Sequence, residues 1–288
     1  MSQPVYRQQS TEPLYPKIIW NRPVSRHGAG RLLVIGGYLG DFSLPTAIYA
    51  LAQAAGIGEC TVALPDSLLK FLAGTPSTSF VPSSLSGSLG REALGHLLDL
   101  GEEADAIAIG AGLSNNSETA TLVERLLQEL EQPVIAFADA LGALKFNIGL
   151  ITDRSKALII LTMPELFKLA GQLEVPIQIR RDGGLQNKLE IVMAVKAKVE
   201  GDLVVYGSET IVAHGEELTV TPTNPVLARL PAAYYAVLSV FWLQNPNQAL
   251  EGLTTGAWIL KLAGQDLQQQ ELPTATILAK QITKTLSQ

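Results

Sequence analysis

The chain has 288 residues, of which 47% are hydrophobic and only 17% charged, and a mean hydropathy of +0.22, the profile of a well-cored globular protein. A net charge of −6 and a pI near 5.2 exclude the basic footprint of a nucleic-acid binder. One cysteine, Cys60, excludes a disulfide framework and points to the cytoplasm, and three histidines far apart in sequence (His27, His96, His214) argue against a metal centre.

Met1 to Gly30 is polar, carries Pro4, Pro13, Pro16 and Pro23, and has no apolar signal core. It reads as an N-terminal arm, packing through Tyr15, Ile18, Ile19 and Trp20 without forming an element. No linker-like stretch divides the rest of the chain, so residues 31–288 are expected to form one α/β domain.

That domain opens with a strand–turn–helix–strand unit. Leu32-Leu33-Val34-Ile35 is a continuous apolar run, as expected of a strand covered on both faces. Gly36-Gly37 ends it, Pro45 suits the first turn of a helix, and Ala47, Ile48, Leu51, Ala52 and Ala55 recur at helical spacing. Gly56 and Gly58 stop the helix, and Cys60 to Leu64 is the next strand. Such a unit implies a parallel pair with a right-handed crossover. The glycine turn could cradle an anion at the helix start, or serve only as a structural turn.

Ser67 to Leu72 is compatible with a helix, while the Ser/Gly/Pro-rich remainder to Gly90 reads as loop, either a lid or plain surface. Arg91 to Leu100 predicts a helix and Ala104 to Ile109 a third buried strand. Gly110-Ala111-Gly112 then makes a second glycine turn on the same sheet edge, where ligands of open α/β sheets collect. Asn115, with Glu118 three residues on, has capping-box spacing for a helix over Thr119 to Glu131. Pro133 to Phe137 is a fourth strand. Asp139 after it could act as an acid–base group, ligate magnesium through water, or cap the next helix. A fifth strand, Ala157 to Leu161, runs into Thr162-Met163-Pro164-Glu165. Asn187 to Val199 reads as a helix, Asp202 to Ala213 as a hairpin turning at Gly207-Ser208, and Leu218 to Thr221 as the last strand. Tyr234 to Leu243, the longest apolar run, is too short to span a bilayer and reads as a core helix. An amphipathic helix carrying Ile277, Leu278, Ile282 and Leu286 is expected over Asp266 to Gln288.

This pattern resembles the ADP-dependent NAD(P)H-hydrate dehydratases, ribokinase-fold enzymes that dehydrate the hydrated nicotinamide cofactor while using ADP or ATP. Gly36-Gly37, Pro45, Gly56 and Gly58 stand where that family carries G-G-S-x-x-Y-x-G-A-P and R-x-G-A-G, and Gly110 and Gly112 match its G-P-G-L-G turn. Asp139 keeps the second Asp of D-A-D-A-L, Gly207 and Thr210 match K-G-x-x-T, and Asn224-Pro225 matches G-N-P. The resemblance covers roughly Arg31 to Gly264. It implies a ribokinase-like three-layer α/β sandwich, a mostly parallel sheet with helices on both faces. It also implies ADP or ATP with Mg as cofactors and a damaged nicotinamide nucleotide as ligand.

Carried over residue by residue, the resemblance assigns substrate contacts to Leu44, Gly112, Asp139 and Pro164. Nucleotide contacts fall on Tyr206, Gly207, Ser208, Glu209, Thr210, Asn224 and Ala233, and the catalytic Asp position falls on Tyr234. The polar set has largely changed. Tyr38, Asp41, Ser43-Leu44 and Ala54 replace the Ser, Tyr, Gly-Ala and Arg, and Phe137 replaces the first Asp of D-A-D-A-L. Pro164 stands for the substrate-contacting His, Tyr206 for the phosphate-binding Lys, and Leu230-Pro231-Ala232-Ala233-Tyr234 for G-G-T-G-D. A phenol supplies no charge to a phosphate, and with a pKa near 10 it is a poor base at neutral pH. The expectation is a dehydratase-like protein of nicotinamide nucleotide repair type with a degenerate active site. The alternative is a non-catalytic paralogue that acts as an interaction partner or homo-oligomer without nucleotide. A kinase of small alcohols would need the same missing Gly-Asp.

Overall fold

The computed structural model describes residues 5–72, 77–177, 184–265, 267 and 273–287. The strands are β1 (Tyr6–Gln8), β2 (Arg31–Gly36), β3 (Glu59–Pro65), β4 (Thr78–Val81), β5 (Ala106–Ala111), β6 (Val134–Ala136), β7 (Ala157–Thr162), β8 (Asp202–Tyr206), β9 (Glu209–His214) and β10 (Glu217–Pro222). They form a ten-stranded sheet in the order β1-β10-β9-β8-β7-β6-β5-β2-β3-β4. From β4 across to β8 every pairing is parallel, and β9 runs antiparallel to both β8 and β10. The chain leaves β2 in one direction toward β3 and β4, and later builds outward the other way from β5. The switch point therefore lies between β2 and β5.

The first helices are α1 (Pro16–Trp20), α2 (Ser43–Ala55), α3 (Leu69–Leu72), α4 (Leu94–Glu102), α5 (Ser117–Glu129) and α6 (Ala138–Ala143). They are followed by α7 (Gly149–Thr152), α8 (Met163–Gln172), α9 (Gly184–Lys196), α10 (Pro231–Gln244), α11 (Ala249–Gln265) and α12 (Ala275–Leu286). One core lies between the sheet and α2, α10, α11 and α12. The second lies on the opposite face under α4, α5, α6, α8 and α9. A sheet buried on both faces explains why its central strands read as unbroken apolar runs. This is the expected three-layer α/β sandwich. Among the described residues no helix is long and apolar enough to cross a membrane.

Three sequence expectations are corrected. The arm does form elements: β1 pairs in parallel with β10, although its side chains are all exposed, because backbone pairing at a sheet edge needs no apolar pattern. Trp20 does not pack, being 80% exposed, whereas Ile18 is buried and Tyr15 and Ile19 pack against the core. The stretch read as loop contains β4, an edge strand paired with β3. Two further details differ. The N-cap of α5 is Asn116, which accepts the Thr119 N–H at 2.8 Å, rather than Asn115. In α12, Leu278 and Ile282 are buried but Ile277 is half exposed, and the expected start at Asp266 lies outside the described residues.

The arm is fastened by Gln9, which is buried. Its amide donates to the Thr221 hydroxyl and the Thr254 carbonyl, both at 2.7 Å, and its oxygen accepts the Leu14 N–H at 3.1 Å. At the far end of β8, Asp202 takes the Trp242 indole N–H at 2.7 Å and pairs with His214 Nδ1 at 2.6 Å, tying α10 to the hairpin. Gln9→Ala would leave the buried Thr221 and Thr254 groups without their donor. Each such loss costs about 1–3 kcal/mol, so a fall of that size in unfolding free energy by urea titration is expected. An unchanged midpoint would show that the arm is not integral to the fold.

Candidate active site

The sheet edge carrying the carboxyl ends of β2 and β5 is shaped by the two glycine turns. The register shifts between Ile35 and Gly36, and a Cβ on Gly36 would stand 2.1 Å from the Ala111 carbonyl oxygen, so only glycine fits there. Gly37 (φ +76°) donates its N–H to Ala111 at 3.0 Å, and Gly112 (φ +73°) lies beside Gly37, Asp41 and Pro45. The Asp139 carboxylate accepts the Leu113 N–H at 3.1 Å. Gly37, Gly112 and Asp139 thus meet at one edge, as the pattern implied. Asp139 is not a helix cap: the N-cap of α6 is Phe137, and Asp139 holds the second glycine turn in place. It keeps contact with solvent, yet the enclosing walls raise its pKa against the Leu113 and Gly112 N–H groups, and the charges of Glu165 and Asp41 add to the rise.

The start of α2 is already served by the chain itself. The Asp41 carboxylate takes the Ser43 N–H at 2.9 Å and its hydroxyl at 2.7 Å, so the first glycine turn fits the structural reading rather than an anion cradle. Leu44 is half-buried against the core of this face. Pro164 is exposed in the first turn of α8, whose Glu165 accepts the Thr162 N–H at 2.7 Å within a capping box.

The decisive arrangement surrounds Tyr234. Tyr206 and Tyr234 stack with centroids 4.2 Å apart, Phe137 and Tyr235 stack at 3.9 Å, and Tyr206 meets Tyr235 edge-on at 6.1 Å. Three of these four rings occupy positions where the resembling family carries Asp, Lys and Asp. All four are buried, Tyr234 at 0% exposure. Burial pushes the Tyr206 phenol up to about 12 despite hydrogen bonding from Tyr235, and raises Tyr234 and Tyr235 further. Thr210 and Thr223, whose hydroxyls bond each other at 3.0 Å, partly offset the rise at Tyr234, but its hydroxyl makes no well-formed hydrogen bond. Pro231 occupies the first position of α10, which has no side-chain cap.

The β8–β9 hairpin is equally ill-suited to a phosphate. Lys188 of α9 reaches it, but bonds Ser208 at 2.8 Å and Glu209 at 2.6 Å. Burial would raise the Glu209 pKa, but the hydrogen bonds from Lys188 and Ser208 and the lysine charge outweigh it, so the carboxyl is held below its usual range. A fixed carboxylate therefore lies beside Gly207. Thr210 is buried, Ala233 is enclosed within α10, and Asn224 is committed to the fold, donating to the Gly264 carbonyl at 2.6 Å and accepting the Val226 N–H at 2.8 Å. These residues do not fit ADP or ATP phosphates. Among the described residues no group of three or more His, Cys, Asp or Glu could hold a metal ion.

Sequence reasoning found Tyr206, Tyr234 and Phe137 as separate substitutions but missed Tyr235, Glu165 and Lys188. The available signal was the apolar run Tyr234 to Leu243: at about 100° per residue a run that long covers every side of a helix, which must then be enclosed all round.

The fold and the switch-point edge define a ribokinase-like α/β protein. Its solved neighbours include a ribokinase-like superfamily protein from Enterococcus faecalis, with TM-score 0.75, 20% identity, and coverage of 98% of this chain and 95% of that one. Another is the ADP/ATP-dependent NAD(P)H-hydrate dehydratase of Bacillus subtilis co-crystallized with ATP/Mg2+, with TM-score 0.63, 16% identity, and coverage of 96% and 99%. The family described as NAD(P)H-hydrate dehydratase matches residues 32–288, and the chain belongs to it. The bifunctional NAD(P)H-hydrate repair enzyme Nnr of Moorella thermoacetica is 32% identical over 205 residues, 69% of this chain but 37% of that enzyme. The ADP-dependent (S)-NAD(P)H-hydrate dehydratase of Natrialba magadii is 24% identical over 244 residues, 82% and 83% of the two chains. The chain thus spans less than half the length of the bifunctional relative.

The raised phenols predict a definite pH response. Because their folded pKa values exceed the unfolded value near 10, they do not alter stability below about pH 10, and stability falls as pH rises from about 10 toward 12. Phenolate absorbance from Tyr206, Tyr234 and Tyr235 should appear only together with loss of the folded circular dichroism signal. Ionisation of these residues in the folded state near pH 10 would contradict the packing.

Proposed function

We propose that this is a dehydratase-family protein of nicotinamide nucleotide repair type whose catalytic centre has become packed core, leaving a non-catalytic paralogue. The observation that carries the reading is the buried ring cluster of Phe137, Tyr206, Tyr234 and Tyr235. Dehydration requires a positioned acid–base group, which typically contributes about 10²–10⁴-fold. A phenol with no access to solvent and a raised pKa is a poor one. The Glu209 carboxylate beside Gly207 and the proline at the start of α10 further oppose a bound phosphate. The relatives' use of ADP or ATP, and their action on hydrated NAD(P)H, therefore do not transfer to this chain as activity. What transfers is the scaffold, in a role as a partner or homo-oligomer. The chain's one cysteine, free and buried, supports a cytoplasmic setting.

Calorimetry with ADP and a turnover assay on hydrated NADH test the proposal. Loss of charge-assisted phosphate contacts costs about 1.5–3 kcal/mol each, so ADP binding should be weak or absent and turnover undetectable. Tyr234→Phe should leave stability unchanged or raise it by up to about 1 kcal/mol, because the buried hydroxyl it removes lacks a good partner. Sub-micromolar ADP binding, or robust wild-type turnover, whether it survives Tyr234→Phe or is abolished by it, would refute the reading.

A further inference from the structure

The two edges of the sheet are protected differently. At one edge β1 carries Arg7, whose guanidinium pairs with Glu217 of β10 at 2.7 Å. Charge on an edge strand discourages pairing with another chain, because its row of unpaired N–H and C=O groups is otherwise a template for a further strand. At the other edge β4 has no such guard. Among the described residues no strand pairs with its outer side. No Asp, Glu, Lys or Arg occurs from Phe71 to Gly90, in a chain of which 17% is charged.

Apolar side chains gather around this strand. Leu69 and Phe71 of α3, on the crossover that leads into β4, are exposed, Phe71 at 64% even though its ring stacks on Phe42 with centroids 6.5 Å apart. Lys70 lies between them, and its long stem lets the ammonium reach solvent beside an apolar contact. Leu85 on the turn after β4 is fully exposed. Leu39 is exposed beside Gly87, whose carbonyl accepts the Leu39 N–H and the Ser67 hydroxyl, each at 2.9 Å. The nearby carboxylates are committed, Asp66 to the Ser83 N–H at 3.1 Å and Asp41 to the Ser43 N–H at 2.9 Å. Exposed aromatic and aliphatic side chains with charge depleted among them are the composition of an interface core.

We propose that β4 is the seat of a two-fold contact with a second copy of this chain, the two β4 strands pairing antiparallel and Leu69 and Phe71 of both copies packing across the axis. Charge is the reason for naming a second copy. A two-fold contact brings each residue near its own counterpart, so charge of either sign at the axis repels itself, and an uncharged edge avoids that. An axis normal to the sheet sets β4 antiparallel to its copy and keeps like faces together. Leu72 and Phe80 pack against the core on the α2 face, which puts α3 of both copies on that same side. This contact gives the homo-oligomer of the proposed function its surface, and in naming a second copy it rests on that reading.

Sedimentation equilibrium of the full chain over a concentration series tests this. A dimer is expected, and Leu69→Asp and Phe71→Asp should each weaken it at least about tenfold. Both side chains are exposed, so the circular dichroism spectrum of the fold should stay intact. Mixing Phe71→Asp with Phe71→Lys should restore a dimer that weakens as salt rises, because the axis brings position 71 of one copy near position 71 of the other. Trp20→Asp, at an exposed apolar residue of the arm, should leave association unchanged. A monomer at every concentration up to about 100 μM would overturn the proposal. So would a dimer indifferent to Leu69→Asp and Phe71→Asp, a dimer broken by Trp20→Asp, or a charge-swapped mixture that stays monomeric. Turnover of hydrated NADH bears only on the ring cluster and sedimentation only on β4, so the two readings fail separately.

Discussion

A helix without a polar face must be enclosed on every side, and α10 is such a helix. Every residue from Ala233 to Trp242 is buried. One side of it lies on the sheet through Tyr234 and Tyr235, whose rings pack with Tyr206 of β8 and Phe137 at the end of β6. Other sides meet α2 and α11, and its far end is held by the bond from Trp242 to Asp202. Each stacked aromatic pair adds about 0.5–1.5 kcal/mol beyond its buried area. Aromatic contact at one end and a polar tie at the other fix how α10 crosses the strands. That crossing sets the four rings at the carboxyl ends of β6 and β8.

The polar groups near that edge are spent on the fold. Asp41 serves α2, Glu165 serves α8, Asn224 ties the loop before α10 to the end of α11, and Asp139 holds a turn. A working phosphate site needs unsatisfied donors aimed at open space. Here the lysine nearest in function, Lys188, is neutralised by Glu209. Asp139 and Glu165 also border a cavity of about 640 Å³ between α5 and α8, beside the short crossover helix α6.

Much of the architecture was legible because burial on both faces writes itself into sequence. Leu32 to Ile35, Ala106 to Ile109 and Ala157 to Leu161 are unbroken apolar runs, and all lie in central strands. Edge strands lack that signature. Tyr6–Gln8 exposes all its side chains and Thr78–Val81 buries only Val81, so backbone pairing alone makes them strands. The site was legible as positions but not as an arrangement. Motif spacing located Phe137, Tyr206 and Tyr234, yet nothing local says that rings from a strand end, a hairpin and a helix will stack. The cavity was invisible for a related reason: it depends on how much shorter one helix is than its neighbours, a property of the assembled layer.

The ring cluster also sets how this interior would receive a charged side chain. An aspartate at position 234 alone would bury a carboxylate at a position with 0% exposure, against the Tyr206 ring. The penalty for an unpaired buried charge is on the order of several kcal/mol, comparable to a domain's whole margin of stability of about 5–15 kcal/mol. A lysine at position 206 would face the same rings, with the Glu165 carboxylate within electrostatic reach. Each ring packs against another, so charge can enter this cluster only where several positions change together.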